Sequence, residues 1–366
     1  MKKKIGIITF HTALNYGAVL QTYALQNFIK KNGVDNEIID YKCKFIEKCY
    51  KPFFISDGKI VNSLVRGILF GSTIRKKRRV FDRFLNERLE LSKEIYTKSE
   101  LQEIAEKYEY CITGSDQVWS PISAGFDEMY FLPGLDKRRK FSYAASIGAT
   151  DVSEEIKQQL KQRLADYSVV SVREESAKKL LKQLDNTKKI EVHVDPTLLL
   201  NIEEWKKLVG EDMVKQKYLL IFNVEKPIQD IEYAKKIAKI QGLKIIYINE
   251  RTIKKDPEIT YYKTLSPEQF LTLFYYADVV VTNSFHGTVF SIIFNKCFYV
   301  ELENKRQRNI RVEGLLEKLE IKNREIDMEK MNYEMPNWNR VNEILNQERK
   351  RTLSYLQMIH SIALND

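Results

Sequence analysis

His286 is the residue around which chemistry could be built. It lies in the run Ala277-Asp278-Val279-Val280-Val281-Thr282-Asn283-Ser284-Phe285-His286-Gly287-Thr288. The hydroxyl, amide and glycine positions around it could cradle an anion through backbone N–H groups. Its imidazole gains or loses a proton near neutral pH. The competing reading is a Ser/Asn helix cap with a histidine that merely packs. A second cluster, Gly114-Ser115-Asp116-Gln117-Val118-Trp119, sets a hydroxyl, a carboxylate and an amide on a glycine turn. A third is Arg173-Glu174-Glu175-Ser176. Arginine at a helix start opposes the helix dipole, a placement that makes sense if Arg173 faces a bound anion. A salt bridge to Glu174 or Glu175 is the plain alternative.

Each run needs a strand before it. Residues 279–281 are a short β-branched run of the kind that fills a buried parallel strand, and residues 288–294 have the apolar spacing of a buried helix. Residues 110–113 lead into Gly114, and residues 169–172 lead into Arg173. Turns of this type fall at the carboxyl edge of an open α/β sheet, where such sheets bind ligands. The chain also opens as a βαβ unit: strand 5–10, a polar loop, a helix over about 18–31, and strand 37–41. The spaced glycines of a dinucleotide fingerprint are missing from its first turn, which argues against a nicotinamide or flavin cofactor.

Residues 42–100 read as an insertion carrying five consecutive cations, Arg75-Lys76-Lys77-Arg78-Arg79, before an amphipathic helix. This is either a solvated basic face or a surface that leans on anionic headgroups. Pro196 marks a domain junction. The expected division is an N-terminal domain over 1–196 that includes the insertion, a second domain over 197–335, and a terminal helix over 336–366 packing back on the first.

At 366 residues with a net charge of +10, the chain fits two α/β domains and suits anionic partners. No helix-turn-helix, zinc-finger or RNA-binding signature is present, so nucleic acid is not expected as a partner. The four cysteines lack metal-ligand spacing and read as reduced thiols. The N-terminal apolar run is too short and too interrupted for a signal peptide, and no stretch has the length to span a bilayer. A soluble cytoplasmic protein is expected, with a peripheral contact at the inner face of the membrane as a further expectation. His11, His193 and His360 read as structural, although His11 falls at the functional edge of its sheet.

Six motifs occur in order: Asn15-Tyr16-Gly17, Gly114-Ser115-Asp116-Gln117-Val118-Trp119, Ser142-Tyr143-Ala144-Ala145-Ser146-Ile147-Gly148, Ser171-Val172-Arg173-Glu174-Glu175-Ser176, Val194-Asp195-Pro196 and Ser284-Phe285-His286-Gly287-Thr288. Together they resemble the polysaccharide pyruvyl transferase family over residues 5–320. The resemblance implies an α/β fold of two Rossmann-like domains in a GT-B-like arrangement with an interdomain cleft. It implies phosphoenolpyruvate as donor, a glycan or lipid-linked oligosaccharide of the cell envelope as acceptor, and no metal or organic cofactor.

On this basis His286 and Asp116 are the candidate catalytic residues. Arg173, Ser284, Gly287, Thr288, Arg306 and Arg308 are candidates for donor binding. Asn15, Tyr16, Gly17, Ser115, Gln117 and Trp119 are candidates for acceptor binding. At Ser284 the sequence departs from the arginine that the family carries two residues before its histidine, which leaves Arg306, Arg308 or Arg311 to supply that charge. The expected chemistry is transfer of pyruvate onto two sugar hydroxyls as a cyclic ketal, with His286 as acid or base and Asp116 as base for the acceptor. The alternatives are a GT-B glycosyltransferase with a nucleotide-sugar donor, or a non-catalytic subunit of polysaccharide assembly.

Overall fold

A computed structural model describes residues 4–51, 60–123, 126–224, 226–249, 255–302, 309–330 and 334–364, without the side chains of 60–69. Two compact units emerge. The first holds Met1–Lys51, Arg83–Leu199 and Leu345–Asp366, and the second holds Pro52–Asp82 and Leu200–Ile344.

In chain order the first unit begins β1 (Lys4–Ile8), α1 (Tyr16–Lys31), β2 (Asn36–Tyr41) and α2 (Lys44–Cys49). The long helix α3 (Ile60–Arg88) precedes β3 (Leu91–Ile95), α4 (Lys98–Ala105), β4 (Tyr108–Thr113) and β5 (Lys140–Ser142). Then come α5 (Glu154–Leu164), β6 (Val170–Val172), α6 (Glu175–Leu184) and β7 (Ile190–Val192). The sheet is parallel in the order β3-β2-β1-β4-β5. Bridges Asp116↔Ala145 and Ala145↔Val172 carry it onto the β6–β7 pair. The strand order reverses between β1 and β4, so their following loops open the crevice that such sheets offer to ligands.

The second unit runs α7 (Ile202–Lys206), β8 (Tyr218–Phe222), α8 (Asp230–Gln241), β9 (Lys244–Ile248), β10 (Ile259–Tyr262), α9 (Pro267–Tyr276), β11 (Val279–Thr282), α10 (Phe285–Ile293), β12 (Cys297–Val300) and α11 (Asn309–Lys318). Its sheet repeats the pattern, parallel in the order β10-β9-β8-β11-β12, with the reversal between β8 and β11. Every residue of β8 and β11 is buried, as the continuous apolar runs YLLIF and VVVT require when helices cover both faces. Ser266 caps α9 through a reciprocal bond with Gln269, with Pro267 at the first position.

The terminal helix α12 (Trp338–Leu364) contributes its residues from Leu345 onward to the first unit. There Tyr355 Oη donates to the Ser142 carbonyl at 2.7 Å, and Arg349 reaches the carbonyls of Leu198 and Leu199 at 3.0 and 3.2 Å. Those contacts carry the first unit past Pro196 to Leu199, beyond the junction read from the proline.

The expected insertion over 42–100 is shorter than the sequence suggested. Residues 91–95 form the edge strand β3 beside β2, and Thr97 and Glu100 close a capping box on α4. The half-exposed pattern of Leu-Ser-Lys-Glu-Ile hides a strand, because an edge strand needs only one buried side. Residues 52–82, including the five cations, group with the second unit rather than with the N-terminal domain.

Candidate functional site

In the second unit, the end of β11 builds the start of α10. Thr282 Oγ1 donates to the Phe222 carbonyl and accepts the Ser284 N–H at 3.0 Å. Ser284 then caps the helix, its Oγ accepting from Gly287 N at 3.3 Å. A Cβ at Gly287 would run into Thr282 Oγ1 and the Phe222 ring, so glycine lets α10 lie against both strands. Thr288 Oγ1 donates back to the Ser284 carbonyl at 3.0 Å and is fully buried. Gly287 and Thr288 therefore shape the helix start. Ser284, the position where an arginine was looked for, is its cap.

His286 occupies the first turn of α10 and is 9% exposed, its ring edge-on to Phe285 at 5.1 Å. The Arg311 guanidinium lies 5.7 Å from the Phe285 ring on the side of α11, which brings a cation to the same helix start. Arg306 and Arg308 fall outside the described residues. Asn223 and Asn283 close the edge between β8 and β11: Asn283 N donates to Asn223 Oδ1 at 3.1 Å, and Val224 N donates to Asn283 Oδ1 at 3.0 Å.

Sequence reasoning missed a carboxyl pair at this edge. Glu301, just past β12, accepts the N–H groups of Ile228 and Asp230 at 3.1 Å and that of Gln229, which closes the first turn of α8. Asp230 is wholly buried, and burial together with the Glu301 charge pushes its carboxyl up to about 7. The two lie 71 residues apart in sequence, and nothing local in either segment announces the pairing.

In the first unit, the carboxyl edge brings together Thr9, Ser115, Asp116, Arg173, Glu174 and Asp195. Thr9 Oγ1 donates to the Ser115 carbonyl at 2.9 Å, tying the loop after β1 to the loop after β4. Arg173 Nη1 donates to Asp195 Oδ2 at 2.6 Å, with Glu174 Oε2 3.9 Å from its Nε. Glu174 in turn accepts from Ser146 Oγ at 2.8 Å and from the N–H groups of Ile147 and Gly148 at 3.1 Å. Asp116 also acts on Arg173 electrostatically, so one guanidinium stands among three carboxylates.

Among the expected acceptor residues, Asn15 is exposed and caps α1 through Gly17 N at 2.9 Å, while Gln117 is half-buried, as is Asp116, the expected base. Tyr16 and Gly17 lie inside α1 and are buried. Ser115 is fully buried, its Oγ donating to the Ala144 carbonyl at 2.7 Å. Trp119 is a core residue: it stacks on Phe131, and its indole N–H donates to the Tyr130 carbonyl at 3.0 Å. An indole has one polar hydrogen, so none is left for a sugar.

All four cysteines are free, and burial pushes the Cys43 and Cys111 thiols up to about 11 and about 12. Among the described residues, no group of three or more His, Cys, Asp or Glu could hold a metal ion. No helix among them is long and apolar enough to cross a membrane.

Residues 15–300 match the polysaccharide pyruvyl transferase family. The chain belongs to that family. It is a transferase-type enzyme, built on two Rossmann-like domains of the GT-B class. No curated protein matches it in sequence.

Solved structures match this family member along nearly its whole length. A UDP-N-acetylglucosamine 2-epimerase from Listeria monocytogenes shares 12% identity, covers 98% of this chain and 91% of its own, and has a TM-score of 0.53. The S. aureus MnaA–UDP co-structure shares 13% identity over 99% of this chain and 91% of its own, with a TM-score of 0.51. An alpha-glucosyltransferase in complex with UDP and a 13-mer DNA shares 9% identity, covers both chains fully and has a TM-score of 0.51.

These likenesses establish the fold, and they correct one expectation. These structures are a UDP-N-acetylglucosamine 2-epimerase and two proteins solved with UDP, and none is described with phosphoenolpyruvate or pyruvyl transfer. The site agrees with the correction, since Arg173, the expected donor clamp, is held by Asp195, and the second expected cation is a serine. Pyruvyl transfer and phosphoenolpyruvate as partner are withdrawn for this family member.

Proposed function

We propose that the chain is a GT-B-type glycosyltransferase that takes a nucleotide sugar as donor and a sugar hydroxyl of an envelope glycan or its lipid-linked precursor as acceptor. The observation that carries this reading is the start of α10. There a serine-capped helix end, His286 and the Arg311 guanidinium converge at the strand-order reversal of the second sheet. A helix N-terminus with a neighbouring cation suits a diphosphate, whose charge meets backbone N–H groups and the positive end of the dipole. The UDP held by two of the matching enzymes supports the same donor class.

In such a transfer the acceptor oxygen bonds to the anomeric carbon, the bond to the diphosphate breaks, and the hydroxyl proton passes to a base. His286 holds the leaving diphosphate in this reading. Within the first unit, Asp116, half-buried at the carboxyl edge of its sheet, is retained as a candidate base. Arg173 keeps Asp195 and Glu174 in place and does not touch the donor.

We place the enzyme in the cytoplasm, where nucleotide sugars are made. Arg75, Arg79 and Arg83 recur one helical turn apart along α3 and are exposed, which supports a peripheral contact with anionic headgroups.

The test is a calorimetric titration of UDP and a panel of UDP-sugars against the wild type and His286→Ala. Saturable binding that weakens tenfold or more in the variant supports the reading, by roughly the value of a charge-assisted contact. Wild type that binds no nucleotide sugar at millimolar concentration overturns it.

A further inference from the structure

The segment that follows β8 is held at two points. At one end Asn223 and Val224 bond to Asn283, which immediately precedes the Ser284 cap of α10. At the other end the Glu301 carboxylate gathers the N–H groups of Ile228, Gln229 and Asp230. Glu301 also belongs to the α10 end of the sheet, since its own N–H donates to the Thr282 carbonyl at 2.9 Å. One residue therefore joins the start of α8 to the end of β11, two residues before the Ser284 cap of α10. Between its two holds the segment displays Val224 and Ile228, which are 54% and 60% exposed.

Asp230 lies under this arrangement with both oxygens sealed from solvent, and neither has a well-formed hydrogen bond among the described residues. The groups facing it are Glu301 from the end of β12, Asn223 from the end of β8 and Tyr247 from β9. None of these is a cation. A carboxylate at a helix N-terminus ordinarily gains from the dipole. Here burial and the neighbouring negative charge outweigh that gain, and the Asn223 side chain offsets them only in part.

We propose that Asp230 and Glu301 form a proton-linked latch on residues 226–230, closed while Asp230 carries its proton and loosened when it ionises beside Glu301. The latch positions the loop next to the α10 start. It does not depend on the nucleotide-sugar reading, although its consequence for the donor does. The sign follows from proton linkage. The closed form holds the proton more tightly than the opened form, where Asp230 would titrate near the ordinary carboxylate value of about 4. Closure is therefore strongest at acid pH, weakens as pH rises toward about 7, and changes little above that.

Hydrogen–deuterium exchange on the full chain, corrected for the intrinsic pH dependence of exchange, reads the latch without any ligand. Protection of the Ile228, Gln229 and Asp230 amides is expected to fall between pH 5 and pH 7, approaching tenfold per unit for one linked proton. It should then level off. Asp230→Asn cannot ionise, so its protection should stay flat across that range. Protection that is flat in the wild type, or that falls equally in Asp230→Asn, overturns the proposal. Carboxyl carbon NMR of aspartate-labelled wild type gives a second reading that needs no variant to fold. A buried aspartate titrating near neutrality supports the latch, and an Asp230 midpoint near 4 overturns it. UDP affinity that ignores pH while protection follows it would count against the donor assignment and leave the latch standing.

Discussion

Arg173 Nη1 lies 2.6 Å from Asp195 Oδ2, and both residues are almost wholly buried. Asp195 is itself fixed by Thr197, whose N–H and Oγ1 donate to its other oxygen at 3.0 and 2.7 Å. The pair joins the end of β6 to the segment after β7, so the arginine acts as a strut in the first unit. Removing one member takes from a buried charge its nearest ion-pair partner, a loss with an upper scale of about 3–5 kcal/mol. Arg173→Ala and Asp195→Asn should each lose stability up to that scale in urea melts. The double variant Arg173→Ala/Asp195→Asn should lose less than the sum of the two. Additive losses would show that the two residues stabilise the fold independently.

His11 ties the loop after β1 to β2. Its Nε2 meets Asp40 Oδ1 at 2.8 Å and its Nδ1 meets the Thr9 carbonyl at 3.2 Å. Burial alone would raise the Asp40 carboxyl, but hydrogen bonds and charge from His11 and Lys42 hold it below its ordinary value. A depressed carboxyl contributes stability that is present above the unfolded pKa of about 3.9 and lost as pH falls through the folded value. Thermal midpoints of the wild type should drop more steeply below pH 4 than those of Asp40→Asn. Parallel acid limbs would remove Asp40 from the account.

What could be read from the sequence was whatever a single segment spells out. The run Val279-Val280-Val281 followed by Ser284, and the Ser266-Pro267-Gln269 start, encode strand, cap and helix locally, and the structure has each of them. Pairings across the chain left no local trace. Asp230 reads as an ordinary acidic residue in a helix's first turn until Glu301 arrives beside it. Glu174 reads as a partner for Arg173, but its main donors are Ser146, Ile147 and Gly148. The resemblance makes Trp119 and Tyr16 candidates for acceptor binding. Their rings turn inward, since an edge loop must also fill the core beneath it. The donor was carried by resemblance, and the charge that it required is absent at Ser284.

Gly287 sits where α10 meets the end of the sheet. A methyl there would overlap Thr282 Oγ1 and press on the Phe222 ring, so either the helix must shift or the Thr282 bond to the Phe222 carbonyl must break. Overpacking of this kind costs about 1–3 kcal/mol. Gly287→Ala should melt earlier by that amount and should bind UDP less well than wild type. An unchanged melt with unchanged binding would mean that the helix start is softer than its packing indicates.

Ser284 separates the structural role of the α10 start from its proposed role in binding. Its Oγ accepts the Gly287 N–H, so Ser284→Ala should cost about 1 kcal/mol through the lost cap. Ser284→Asp keeps a capping oxygen, and the favour of the helix dipole for its charge works against the cost of burying that charge where Ser284 is 3% exposed, so its melt is measured first to show that the variant is folded. The same carboxylate would occupy the anion position of the helix and repel a diphosphate. If α10 binds the donor, Ser284→Asp should be a folded protein whose UDP affinity falls by tenfold or more, while Ser284→Ala loses stability with a smaller loss of affinity. Should Ser284→Asp bind UDP as the wild type does, the diphosphate is held elsewhere, and the α10 start is a helix cap with a packed histidine.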